Sequence, residues 1–241
     1  MERSSEPPGV VLSIKTGMRK VLGIITMLCL LTTSVAAQTE PEYRIEVGAG
    51  VGMVTYLGDF NGNILKNPMP MGSLLAKYRL NPRMALAMNV SYGKIKGSSK
   101  DANTYVPVPW QDYSFNHGLL DVGLRYELNF WPYGTGREYR GAKPVTPYIY
   151  IGVGMTFAKP DKTEVGVNMP LGAGVKYKVA DRVNLALEWT MHFNSNDWID
   201  GVGDIYGISS SGLFKNTDCY SHLRFSVTYD LWAKCSTCHK E

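Results

Sequence analysis

Two groups of residues in this chain have types and spacings that could do chemistry. Near the C-terminus, Cys235-Ser236-Thr237-Cys238-His239 has the Cys-x-x-Cys-His spacing at which haem is attached covalently. Only Lys240 and Glu241 follow it, and no apolar segment is left there to wrap a porphyrin. A zinc site would need ligands that the tail lacks. The cysteine pair is better suited to a disulfide, local or to another chain, because a bridge within Cys-x-x-Cys closes a short and readily exchanged loop. The second group is His192 with Asp197, Asp200 and Asp204, the one cluster with an imidazole and carboxylates for acid–base work. The same acids offer oxygen ligands, but they miss the spacing of a calcium loop, and a solvated loop is the expected state of Asp197–Asp204. No catalytic residue, metal or cofactor is assigned.

Any element that positions these groups must come from a chain patterned for strands. In Asn116–Phe130, Leu120, Val122, Leu124, Tyr126, Leu128 and Phe130 share one parity, and Asp121, Gly123, Arg125, Glu127 and Asn129 share the other. That is the period-2 signature of a strand with one apolar and one charged face. Val183–Asn194 and His222–Leu231 repeat it, and Tyr43–Tyr56, Met71–Leu80, Met84–Lys94, Pro147–Ala158 and Asn168–Val179 are weaker versions. The total is about eight strands of roughly ten residues, which fits the smallest closed transmembrane barrel. The fold class expected is therefore all-β, an eight-stranded antiparallel transmembrane β-barrel of the outer-membrane type. Tight turns at Asn81–Arg83 and Ala180–Arg182 alternate with long connections at Gly58–Pro70, Ile95–Tyr113 and Ser195–Thr217, as at the two ends of such a barrel.

The other parity would then line the lumen, with Glu46, Asp121, Arg125, Glu127, Lys176, Glu188 and Arg224 projecting inward among glycines such as Gly152 and Gly172. Opposite charges in so narrow a cylinder pair with one another, so a filled structural barrel is expected rather than a water channel.

Upstream, Met18-Arg19-Lys20 and the apolar run Val21–Leu31 read as a secretory signal cut after Val35-Ala36-Ala37, with Met18 as the start of translation. The run is too short to cross a bilayer as a helix. Residues 1–37 are thus leader and signal, 38–232 the barrel and 233–241 a periplasmic tail. The net charge of +4 is mild and its cations are scattered, which disfavours nucleic acid as a partner. Cys219 begins the last strand and Cys235 follows its far end, roughly 50 Å away at a strand's rise. A disulfide needs alpha-carbons within about 7 Å, so these two cannot pair within one barrel. The connection Trp131–Thr146 is longer than an inner turn needs, and Trp131, Tyr133, Arg137, Tyr139 and Arg140 are its candidates for contact with another protein. An aromatic girdle at the membrane interface explains Trp131 equally well.

The strand end Tyr56-Leu57-Gly58-Asp59-Phe60-Asn61, the extended inner connection and the cysteine tail after Trp232 together resemble the PorG family, outer-membrane barrel components of the type IX secretion system. The resemblance runs over Tyr43–Glu241. It implies a non-enzymatic barrel under which a periplasmic ring of PorK and PorN docks. The exchangeable Cys235 or Cys238 is expected to link the barrel covalently to its periplasmic partner, which the resemblance identifies as PorK. The competing readings are a passive pore, a ligand-binding barrel and a small-barrel enzyme using His192.

Overall fold

In a computed structural model, the structure describes residues 43–102, 105–134, 143–160, 163–195, 198–203, 205 and 218–233. Eight strands follow in chain order: β1 (Tyr43–Leu57), β2 (Met69–Asn81), β3 (Met84–Ser98), β4 (Ser114–Asn129), β5 (Val145–Lys159), β6 (Glu164–Ala180), β7 (Val183–Asn194) and β8 (Cys219–Ala233). Each pairs antiparallel with its neighbours in sequence, and β1 pairs β8 from Tyr43↔Ala233 to Leu57↔Cys219, which closes the barrel. No helix among the described residues is long and apolar enough to cross a membrane.

Alternation sets the faces. On β8, Leu223, Phe225, Val227, Tyr229 and Leu231 are exposed, whereas Arg224, Ser226, Thr228 and Asp230 are buried. The same inversion holds on β2, where Leu74 and Tyr78 face out while Lys77 and Arg79 face in. A soluble sandwich would turn the charged face to water; here the charges are enclosed and the apolar face is outside, the arrangement a bilayer requires. Tyr78, Phe130, Trp131, Tyr177 and Tyr229 are exposed near the short-turn end, and Tyr92 and Trp189 lie toward the other, as two aromatic girdles.

Several strands are longer than the alternation alone indicated, 15 residues in β3 and 17 in β6. Fifteen residues span about 50 Å along a strand, so even tilted the ladder outruns a lipid-facing band about 25 Å tall. On β3 the extra pairing turns Lys96 outward, where no apolar alternation marks it, whereas on β6 Val165 and Val167 continue the apolar outer face.

At the long-connection end an apolar cluster caps the lumen. Val54, Tyr56, Phe60, Met71, Ile95, Phe115, Ile199, Val202 and Tyr220 are buried together. Tyr56 meets Phe115 edge to face at 5.0 Å, and Phe60 lies 4.9 Å from Tyr113. The segment around Asp200 is therefore part of the interior and differs from the solvated loop expected for it. Ile199 and Val202 drive it inward, and Asp200 follows them because the Tyr56 hydroxyl is there to meet it.

Candidate functional site

The lumen holds the chain's main constellation, and it is built in layers. In the half nearer the short turns, β7 places Glu188 directly across from Arg224 of β8. Arg224 donates from Nε to Glu188 Oε2 at 2.7 Å, and Arg125 reaches across from β4 to Oε1 at 2.6 Å. The Tyr148 hydroxyl donates to the same carboxylate. Glu127 is met by Lys176 at 2.6 Å, Arg125 at 2.8 Å and Lys77 at 3.5 Å. Glu46 is met by Arg79 at 2.8 Å and accepts from Thr228. Asp230 gathers Arg79 at 2.7 Å, Lys178 at 2.9 Å and Asn184 at 2.8 Å.

Aromatic rings fill the space between these ions. Lys176 Nζ sits 4.1 Å from the Tyr148 ring centroid and the Arg125 guanidinium 4.4 Å from that of Tyr150. Those rings need the facing glycines. A Cβ on Gly172 would lie 2.4 Å from the Tyr150 ring, and one on Gly174 would lie 2.9 Å from the Tyr148 ring.

The middle layer centres on Asp121. That carboxylate accepts from Asn168 at 2.6 Å, Tyr220 at 2.9 Å and Asn89 at 3.2 Å. His192 stacks on Tyr220 with centroids 4.4 Å apart, touches His222 at 4.5 Å and lies 3.7 Å from Asp121. Its neighbours are thus lumen side chains of β4, β6 and β8. Asp200 serves a different group, because the Tyr56 hydroxyl shares its single proton between Asp200 at 2.8 Å and Asp218 at 2.5 Å. Asp197 and Asp204 lie outside the described residues. No set of three or more metal-ligating His, Cys, Asp or Glu occurs among the described residues.

The candidate contact residues fall into three groups. Tyr133 is 2% exposed: it turns up into the barrel mouth, donates to Asn184 Oδ1 at 2.9 Å and lies under the cations Arg79, Lys176 and Lys178. Burial pushes its phenol above the ordinary range, so it remains a neutral donor. That leaves it no outer surface for a partner, and its role is to stopper the mouth. Trp131 is exposed, with Lys143 Nζ 4.6 Å from its ring, and stays available for contact. Arg137, Tyr139, Arg140, Cys235 and Cys238 lie outside the described residues. Cys219 is a half-buried cysteine at the start of β8.

Lys77, Arg79, Lys178 and Asp230 belong to the lumen network but are absent from the set read off the alternation. Arg79 and Lys77 share their parity with Met71 and Leu75, which are also buried, so β2 is apolar on both faces at one end. The available signal was the pairing partner, since Lys77 stands opposite Glu46 in the β1–β2 register and Asp230 opposite Glu46 in the β1–β8 register.

A family model described as a domain of unknown function, DUF6089, matches residues 19–240. The chain belongs to the DUF6089 family. Among solved structures, this DUF6089 protein is similar to Neisserial surface protein A at 16% identity, over 78% of this chain and 97% of that one, with a TM-score of 0.47. It is also similar to the Yersinia pestis attachment invasion locus protein Ail at 12% identity, over 80% of this chain and 100% of that one, at 0.42. The N-terminal barrel of Pseudomonas aeruginosa OprF gives 15% identity, 80% and 100% coverage, and 0.40. No curated protein matches the chain. The assignment of the DUF6089 barrel rests on its own register and closure.

Proposed function

We propose that this protein is a non-enzymatic barrel of the Gram-negative outer membrane that anchors a periplasmic ring of the type IX secretion machinery, PorK and PorN, through its inner connection and tail. The observation that carries this reading is the filled lumen. Paired ions occupy the inner half, Tyr133 stoppers the mouth and an apolar cluster caps the other end. A cylinder packed in this way acts through its ends and its lipid face. Its rigidity favours a mount over a pore or a ligand cavity, and the resemblance to PorG supplies the identity of what it would hold. In this reading the termini and Trp131–Thr146 face the periplasm, the connections at 99–113 and 195–218 face outward, and Cys235 or Cys238 links to PorK.

The test is photocrosslinking in native membranes from a reactive residue at Trp131 and, separately, at Tyr105. Capture of PorK or PorN from position 131 and not from 105 is the expected result. Capture from neither position, with secretion intact when Cys235 and Cys238 are both changed to Ser, sinks the proposal.

A further inference from the structure

The long-connection end carries a second surface that the docking reading does not use, on the outer face of β3, β4 and β5. Three cross-strand rows stand one above another there. Tyr92, Leu120 and Phe157 are paired neighbours and form the upper edge of the apolar belt. One step farther from the belt, Lys94, Gly118 and Lys159 form the next row, and Lys96 with Asn116 the one beyond. Both Lys94 and Lys159 are exposed, and neither is in an ion pair with a described carboxylate.

Gly118 makes this row a groove. The two lysine alpha-carbons are about 10 Å apart across the intervening strand, and the glycine between them projects nothing. The Tyr92 hydroxyl leans over the gap, 3.1 Å from where a Cβ on Gly118 would be. An open groove of about 480 Å³ results, whose lining includes Tyr92, Lys94, Gly118, Leu120, Phe157 and Lys159, with Asn116, His117 and Thr163 among the other residues that border it. Its floor is apolar on the membrane side and its rim is cationic. Lysine stems lie along apolar surface while their ammonium groups stay in the polar layer, so both can converge on one anion.

We infer that this groove binds the phosphate of an anionic lipid headgroup, with the acyl chain lying over Leu120 and Phe157. The apolar floor is continuous with the lipid-facing belt, which selects a lipid over a free anion or a protein segment. The inference is independent of what docks at the other end.

The probe is phosphatidylglycerol added to the full chain in detergent micelles, read by native mass spectrometry against diacylglycerol, which lacks the phosphate. At about fivefold per lysine, a Lys94→Gln, Lys159→Gln double variant should hold phosphatidylglycerol roughly 30-fold more weakly, with diacylglycerol unchanged. Gly118→Leu, which fills the groove and keeps both charges, should weaken it as well. If the double variant does not fold, as judged by heat-modifiable mobility, each single variant carries the test at about fivefold. Equal phosphatidylglycerol binding by parent and variants overturns the inference. Displacement of the lipid from the parent by millimolar inorganic phosphate alone would show a free-anion site and overturn it too.

Discussion

Glu188→Gln is the sharpest probe of the filled lumen, because it removes one charge and almost no volume. Glu188 is fully buried and takes Arg224 through Nε at 2.7 Å and Arg125 at 2.6 Å. The two arginines would not suffer equally. Arg125 keeps Glu127 at 2.8 Å, whereas Glu188 is the only described carboxylate in ion-pair contact with Arg224. The variant therefore strands one buried guanidinium, and breaking a buried pair on one side costs about 3–5 kcal/mol. Removing Arg224 as well relieves the stranded charge. Replacing both partners with well-packed neutral residues is often close to neutral, so Glu188→Gln with Arg224→Met should recover most of the loss. Urea unfolding in lipid vesicles, followed by tryptophan fluorescence and heat-modifiable mobility, gives all corners of the cycle. A single variant losing less than about 1 kcal/mol would mean that the lumen is wet enough to solvate Arg224, the value expected of an exposed pair. The packed-cylinder argument would then fail, and with it the case against a pore.

Other perturbations test other parts of the same structure. Leu124, exposed near the middle of β4, should tolerate charge poorly: Leu124→Arg is expected to cost roughly 2–4 kcal/mol of insertion, and assembly equal to the parent would count against lipid contact at that face. Gly172→Ala forces a Cβ against the Tyr150 ring and the Trp189 carbonyl and should cost about 1–3 kcal/mol. Gly72→Ala is the control, since nothing lies within 4 Å of its new carbon. Equal stability of the two glycine variants would show that Tyr150 does not need the space. On intact cells an impermeant maleimide should label Tyr105→Cys and miss Lys143→Cys; the reverse pattern would invert the proposed topology.

What the sequence made legible follows from the range of each interaction. Period-2 alternation is written locally, so β4, β7 and β8 are visible in the residues alone, and so are Asp121, Arg125, Glu127, Glu188 and Arg224 on their inner faces. β2 was harder because Met71 and Leu75 share a face with Lys77 and Arg79, and alternation cannot separate a lumen from a membrane when both are apolar. The cap was not legible at all. Tyr56 and Asp200 are 144 residues apart, and no local pattern announces that a hydroxyl at one strand end will be met by a carboxylate from a distant connection.

This division bears on where function can sit. The half of the strands nearer the short turns gathers its ion pairs inside the cylinder, where Lys77 lies within 3.9 Å of Glu46, Glu127 and Glu188. Polar groups so committed are poor recruits for binding, because each would leave a buried partner uncompensated. The irregular part differs between the two ends. At the long-connection end, Ile199, Val202 and Phe60 are drawn inward to close the cap, which leaves the outer face of β3–β5 with Lys94 and Lys159 unspent. At the short-turn end, the described part of the Trp131–Thr146 connection turns the Tyr133 ring inward and keeps Trp131 and Lys143 outside. A buried Tyr133 fixes its neighbours Trp131 and Lys143, which would lower the entropy they lose in the docking proposed above. Tyr133→Ala should therefore weaken capture of the proposed ring although Tyr133 itself is enclosed in the barrel mouth. Undiminished capture by a folded Tyr133→Ala barrel would separate the stopper from the docking surface and leave the tail to carry the contact.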